Sequence, residues 1–163
     1  MRILVVEDTV MMAKSFIEML ESAGHQVDWV IGFKDAENLI AMGADKSELE
    51  VEPSRYDLVL MDGDLEGKIT GADVVPAFAK AGVACFGTST MPKMNDEMIA
   101  SGAVYAAAKV TIFFALYHGR VSADELIESG TETRERLEAA WTECKDDETL
   151  RKAAEQFLLA HVQ

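Results

Sequence analysis

The chain has 163 residues, 49% of them hydrophobic, and a formal net charge of −14. That length suits one domain with appendages, and that hydrophobic share is enough to bury a core. The negative balance argues against a nucleic-acid partner, which needs clustered Lys and Arg, and suits solubility or basic protein partners.

No apolar run approaches the roughly 18 residues of a membrane-spanning helix, so no membrane association is expected. Met1 leads into a strand-like apolar segment with no cleavage-site pattern, and Cys85 and Cys144 form neither a metal spacing nor a disulfide framework. A reducing cytoplasm is the expected compartment.

Residues 2–6 (RILVV) form a nearly continuous apolar run, as a strand buried on both faces does. Glu7 and Asp8 follow, then a helical pattern over 9–23 in which Met12, Phe16, Met19 and Leu20 share a face. Thr9 can cap its start and Gly24 can end it. A second strand is expected over 26–31. The spacing of Phe33, Ala36, Leu39 and Ile40 predicts a second helix over 33–42. Residues 43–55 are polar, contain Pro53, and read as a loop with room for one extra helical turn.

Residues 57–61 (DLVLM) read as a third strand, and the glycine-containing stretch 62–71 as a loop. A helix over 73–80 would place Pro76 in its first turn, where a missing N–H costs little. Strand four is expected over 83–88, a loop at Met91 and Pro92, a short helix over 95–101, and strand five over 103–107. This alternation of apolar strands and helices argues for an α/β fold with a doubly wound five-stranded parallel sheet.

An apolar helix is expected over 111–118, and beyond Gly119 the composition changes. The segments 123–129, 132–144 and 148–161 read as amphipathic helices, with stripes at Leu126 and Ile127, at Leu137 and Trp141, and at Leu150, Ala154, Phe157 and Leu158. Asp146 and Asp147 stand where the last helix would be capped. Such stripes pack on the body or on one another, or form an oligomer or partner surface; a homodimer is one such arrangement. The expected division is a body over 1–119 and a helical C-terminal extension over 120–163.

Ligands of open parallel sheets bind outside the carboxyl ends of the strands. Here Glu7 and Asp8 follow strand one, Asp62 strand three, Ser89 strand four, and Lys109 strand five. Clustered carboxylates repel one another unless a cation or proton relieves them. An all-oxygen set at a wet loop edge suits Mg²⁺, which takes few carboxylates and a phosphate. A carboxylate so placed can act as nucleophile toward a phosphoryl group, with Lys109 as a compact positive charge and a strand-four hydroxyl as donor.

The motifs ILVVEDT, YDLVLMDGDL, AGVACFGTST and SGAVYAAAK resemble the strand ends of the receiver domain of bacterial two-component response regulators, over residues 2–117. The resemblance implies a flavodoxin-like strand order 2-1-3-4-5. It implies that Asp62 is the phosphoacceptor, that Glu7, Asp8, Asp62 and the backbone carbonyl of Asp64 hold Mg²⁺, and that Lys109 pairs with the bound phosphoryl group. The resemblance puts the implied hydroxyl on Ser89, with Thr88 as the fallback; neighbours on a strand face opposite sides, so only one serves. The implied partners are a sensor histidine kinase or a histidine phosphotransfer protein. The tail is too short and too acidic for a familiar DNA-binding output, so contact with another protein is the expected signal.

Three positions depart from the family pattern. Val110 replaces the proline after the lysine, so a trans peptide is expected there. Ala106 stands where the family has a switch aromatic, with Tyr105 beside it. The loop before strand three is longer than usual, and the segment after strand four is shorter. These departures motivate an alternative, a receiver-like interaction module that switches without phosphorylation, with 110–117 (VTIFFALY) as a possible contact surface. The run Asp62-Gly63-Asp64-Leu65 also resembles the nucleophile motif of haloacid-dehalogenase-type phosphatases, although that family's late acidic pair is not evident.

Overall fold

The computed structural model of the chain describes residues 1–149 and residue 152. The first half runs β1 (Arg2–Val6), α1 (Val10–Ser22), β2 (Gln26–Val30), β3 (Gly32–Asp35), β4 (Ile40–Met42), β5 (Glu48–Glu50), a 3-10 turn (Pro53–Arg55) and β6 (Leu58–Met61). Then follow α2 (Gly71–Lys80), β7 (Ala84–Gly87), α3 (Pro92–Ala100), β8 (Tyr105–Ala106), α4 (Lys109–Tyr117), α5 (Ala123–Glu128) and α6 (Thr131–Asp146).

The five expected parallel strands form one sheet in the order β2-β1-β6-β7-β8, which is the flavodoxin-like 2-1-3-4-5 arrangement. Alternate residues of each strand enter different cores. Ile3, Val5, Leu58, Leu60 and Phe86 meet Phe16, Leu20 and Phe113 on one side. Leu4, Val6, Val59, Met61 and Cys85 meet Val74, Phe78 and Met98 on the other. A sheet covered on both faces needs apolar residues at every strand position, and the continuous runs seen in the sequence supply them.

The helix expected over 33–42 is absent: β3 and β4 take its place, and β5, a strand inside the expected loop 43–55, completes an antiparallel meander with them. Turn chemistry overrides the helical spacing. The Asp35 carboxylate accepts the backbone N–H of Asn38 at 2.9 Å, and Leu39 takes φ 51, a left-handed conformation no helix interior holds. A second turn at 43–47 closes with the Gly43 N–H on the Ser47 carbonyl. Phe33 pairs with Ala41, and both are buried with Leu39 and Val51 against the α2 side of the sheet. The Phe33 ring meets Phe78 edge-on at 6.4 Å. Burial of that side chain contributes about 1.5–3 kcal/mol, enough to outweigh a weak helical preference.

Pro76 lies in the second turn of α2, not the first. A capping box between Thr70 and Asp73 starts the helix at Gly71, two residues before the expected point, and Pro76 then removes the bond to the Ala72 carbonyl. α3 starts at Pro92 instead of residue 95, because the fixed φ of proline suits a first helical position. α4 starts at Lys109 instead of 111.

The described part of the tail packs on the body. Val121, Ala123, Leu126, Leu137, Ala140 and Cys144 are buried in the same core as Val5, Leu60 and Phe113. Trp141, expected on that stripe, is 46% exposed; Ala140 and Cys144 take the inward positions. Of the expected helix over 148–161, the stripe Leu150, Ala154, Phe157 and Leu158 lies outside the described residues.

Candidate active site at the carboxyl edge of the sheet

The sheet's backbone bonds continue one step past the strands and fix the loops that carry the charged groups. The Asp62 N–H donates to the Val6 carbonyl at 3.0 Å, Thr88 N–H to Met61 at 2.9 Å, and Ala107 N–H to Gly87 at 3.0 Å. Because Val6 pairs with Met61, the residues that follow, Glu7 and Asp62, leave the sheet at the same level. Lys109 enters as the first residue of α4, whose Ile112 and Phe113 share a core with Leu60 and Phe86.

Glu7, Asp62 and Lys109 are buried, Asp8 is half-buried, and Asp64 is exposed. The Lys109 ammonium stands 2.7 Å from Glu7 Oε2 and 3.0 Å from Asp62 Oδ2. Carboxylate oxygens of Glu7, Asp8 and Asp62 lie within 4.8 Å of one another. The other Glu7 oxygen accepts the Thr9 N–H at 3.0 Å. The Asp64 N–H points to Asp62 Oδ1 at 3.4 Å. A Cβ on Gly71 would fall 2.2 Å from the Asp62 carbonyl, so only glycine lets α2 begin against the Asp62 loop.

Burial, and then the facing Asp62 carboxylate, push the Glu7 carboxyl up to about 7 despite the Lys109 contact. Burial and Asp62 also raise Asp8. Burial alone would lower Lys109, but Glu7 and Asp62 outweigh it and raise the ammonium above its ordinary value. The cluster thus holds more negative charge than one lysine relieves. Its donors are hard oxygens, the set a small divalent cation takes.

The two candidate hydroxyls have different surroundings. Leu60 pairs with Phe86 and Met61 with Gly87, so Thr88 follows at the level of Asp62. Continued alternation puts Thr88 on the Leu60 and Phe86 side with Asp62, and Ser89 on the opposite side. The Ser89 hydroxyl accepts the Met91 N–H at 3.1 Å, at the entry to α3.

Two residues absent from the sequence reading brace this edge. The Asn95 amide clamps the Ser89 backbone, accepting its N–H at 3.0 Å and donating to its carbonyl at 2.9 Å. The Trp29 indole N–H donates to the Glu7 carbonyl at 2.8 Å. Both partners are backbone groups, and neither a reach of six residues to Ser89 nor one of 22 to Glu7 leaves a periodic mark in the sequence.

No family model matches the sequence, and no curated protein matches it. Solved structures do. A CheY-like response regulator receiver domain protein from Methanospirillum hungatei JF-1 is 19% identical with a TM-score of 0.51, over 87% of this chain and 97% of that one. The N-terminal domain of a response regulator/sensory box/GGDEF 3-domain protein from Carboxydothermus hydrogenoformans is 18% identical with a TM-score of 0.50, over 90% and 98%. A two-component response regulator from Clostridium difficile is 14% identical with a TM-score of 0.51, over 66% and 82%. The chain has the receiver-domain fold.

Within that fold, the Lys109–Val110 peptide is trans, as expected. Ala106 is buried against Gly87. Tyr105 faces the other side of the sheet, edge-on to Phe86 at 6.1 Å and beneath the guanidinium of Arg134 at 4.7 Å. Among the described residues, no helix is long and apolar enough to cross a membrane.

Proposed function

We propose that the chain is a stand-alone response-regulator receiver that accepts a phosphoryl group on Asp62. The donor would be a sensor histidine kinase or a histidine phosphotransfer protein, and the output a protein–protein contact in the cytoplasm. The observation that carries this reading is the buried Lys109 ammonium between Glu7 and Asp62 at the carboxyl edge of the sheet. Residues 1–119 are read as the receiver unit and 120–163 as its extension.

An Asp62 oxygen attacks phosphorus. The bond from phosphorus to the donor's imidazole nitrogen breaks, and its electron pair leaves with the imidazole. Lys109 already touches Asp62 Oδ2 and so stands beside the incoming phosphoryl oxygens. Thr88, level with Asp62, is the hydroxyl assigned to donate to another of them; Ser89 is assigned to the α3 entry. Glu7, Asp8, Asp62 and the Asp64 carbonyl would hold Mg²⁺, which when bound supplies positive charge to the carboxylates and the phosphoryl group. This chemistry acts on the chain itself, not on a turned-over substrate. Convergence of Glu7 and Asp8 on Asp62 favours it over the phosphatase reading.

The test is incubation with Mg²⁺ and acetyl phosphate, followed by intact mass measurement. One phosphoryl adduct is expected on the wild type and none on Asp62→Ala or in excess EDTA. No adduct on the wild type, or the same adduct on Asp62→Ala, overturns the reading.

A further inference from the structure

We infer that Asn95 is a positioning residue for phosphoryl transfer: it takes the place of a strand neighbour that Ser89 lacks, and so holds the Thr88 hydroxyl on the Asp62 side of β7. The inference rests on the reading of Asp62 as phosphoacceptor. It names a residue that serves that reaction without touching the phosphoryl group.

The backbone groups of β7 turn alternately to β6 and to β8. The Thr88 N–H donates to the Met61 carbonyl of β6 at 2.9 Å. On the β8 side, the Cys85 and Gly87 carbonyls accept the N–H groups of Val104 and Ala107 at 2.9 and 3.0 Å. Ser89 is the next residue to face that side. β8 ends at Ala106, and the chain turns into α4 at Lys109. That early turn brings the Lys109 ammonium to Asp62, and it leaves Ser89 beyond the last paired residue of β8.

The Asn95 side chain fills the place. A side-chain amide carries the same donor and acceptor as a backbone peptide. Its Oδ1 accepts the Ser89 N–H at 3.0 Å, and its Nδ2 donates to the Ser89 carbonyl at 2.9 Å. Asn95 and Ser89 are both buried, so loss of the amide would leave the Ser89 N–H and C=O unpaired away from water.

The clamp fixes which way the neighbours face. A Cβ on Gly63 would lie 3.2 Å from that of Ser89 and 2.7 Å from that of Met94, so Ser89 and α3 both pack on the residue that follows Asp62. Gly63 and Ser89 share one side of the sheet edge, and alternation puts Thr88 on the other, with Asp62. A twist of the Ser89 backbone would carry Thr88 out of that position. The two Asn95 bonds oppose the twist, and because Asn95 belongs to α3, that helix sets where the hydroxyl stands.

The test is a double-variant cycle on the full chain with Mg²⁺ and acetyl phosphate, the rates read by intact mass. Asn95→Ala should slow Asp62 phosphorylation by about tenfold, close to the loss from Thr88→Val. Combined with Thr88→Val, it should cost no more than about twofold beyond Thr88→Val alone, because residues that act as a unit are not additive. Asn95→Ser keeps one polar group beside Ser89 and is the variant to use if Asn95→Ala does not fold. Its loss should be smaller and should vanish in the same way over Thr88→Val. Calorimetric Mg²⁺ affinity should stay within about twofold in every variant, since Glu7, Asp8 and Asp62 are untouched. A merely structural role would slow the reaction by the same factor in both backgrounds. That additive outcome, a wild-type rate in the Asn95 variants, or a loss of Mg²⁺ affinity would overturn the inference and leave Asp62 as the acceptor. No adduct on the wild type would instead overturn the acceptor reading, and this inference with it.

Discussion

Gly87 and Ala106 lie opposite each other in register across β7 and β8, and a Cβ on Gly87 would stand 2.7 Å from that of Ala106 and 2.8 Å from Met98 Cε. The pair is small on both sides because α3 closes down on it. This packing explains in physical terms why position 106 carries no aromatic. Gly87→Ala and Ala106→Phe should each destabilise the fold by about 1–3 kcal/mol, the cost of overpacking a close contact. Urea unfolding measures both. Gly130→Ala, where nothing lies within 4 Å of the added carbon, is the control and should shift stability by less than about 0.5 kcal/mol.

The Glu7 carboxyl gives the metal-free protein a specific pH dependence. Its folded value of about 7 lies above its ordinary 4.5, chiefly through burial and then through Asp62. The native state therefore binds a proton that the unfolded chain releases, so this group's contribution to stability is full below about 4.5 and is lost as pH rises toward 7. Asp8, raised from 3.8, acts in the same direction. Asp28 is lowered from 3.8: burial opposes that shift, but bonds from Tyr56 and Arg2 outweigh it, so its contribution is lost only as pH falls below that range. Denaturation midpoints in EDTA should decline between pH 5 and 7 in the wild type, a window set by those values. In Glu7→Gln the decline should flatten, and an unchanged slope would refute the assignment.

Much of this molecule is legible in its sequence. The continuous apolar runs RILVV and DLVLM fix strands buried on both faces, and the acids that follow them land at one edge because parallel strands share a direction. The meander is harder to see. Phe33, Ala36, Leu39 and Ile40 fit a helical face, and only Asp35, Asn38 and the 43–47 turn decide for two strands joined by a turn. Whether Thr88 or Ser89 shares a level with Asp62 depends on register, which sequence does not display. Asn95 and Trp29 act on backbone groups six and 22 residues away, and such contacts leave no periodic trace.

That register sets up an asymmetric pair of substitutions. Thr88→Val should lower the rate of Asp62 phosphorylation by acetyl phosphate by about tenfold or more, as loss of a donor to developing oxyanion charge does. Ser89→Ala removes only the bond to the Met91 N–H and should leave the rate within about twofold, while lowering stability by about 1 kcal/mol. Phosphorylation time courses by intact mass give the rates. The reverse ranking would return the role to Ser89.

Arg134 ties α6 to the fifth parallel strand. Its Nη2 donates to the Val104 carbonyl at 3.1 Å, its Nε donates to the Ser129 carbonyl at 2.7 Å, and its guanidinium covers Tyr105 at 4.7 Å. Ser129 is fully buried with φ 46, so the Arg134 bond also satisfies the carbonyl of a left-handed helix end. Arg134→Ala should destabilise the fold by about 2 kcal/mol, since two charge-assisted bonds and one ring contact are lost at a partly exposed site. Arg134→Lys should recover less than half of that, because an ammonium lacks the planar fork that reaches two carbonyls and covers a ring together. Amide exchange gives the local readout. The N–H groups of Val104 and Ala107, which bond to Cys85 and Gly87, should lose protection in Arg134→Ala more than the β1 amides do. Equal loss across the sheet would mean that α6 steadies the whole core without a particular hold on this strand.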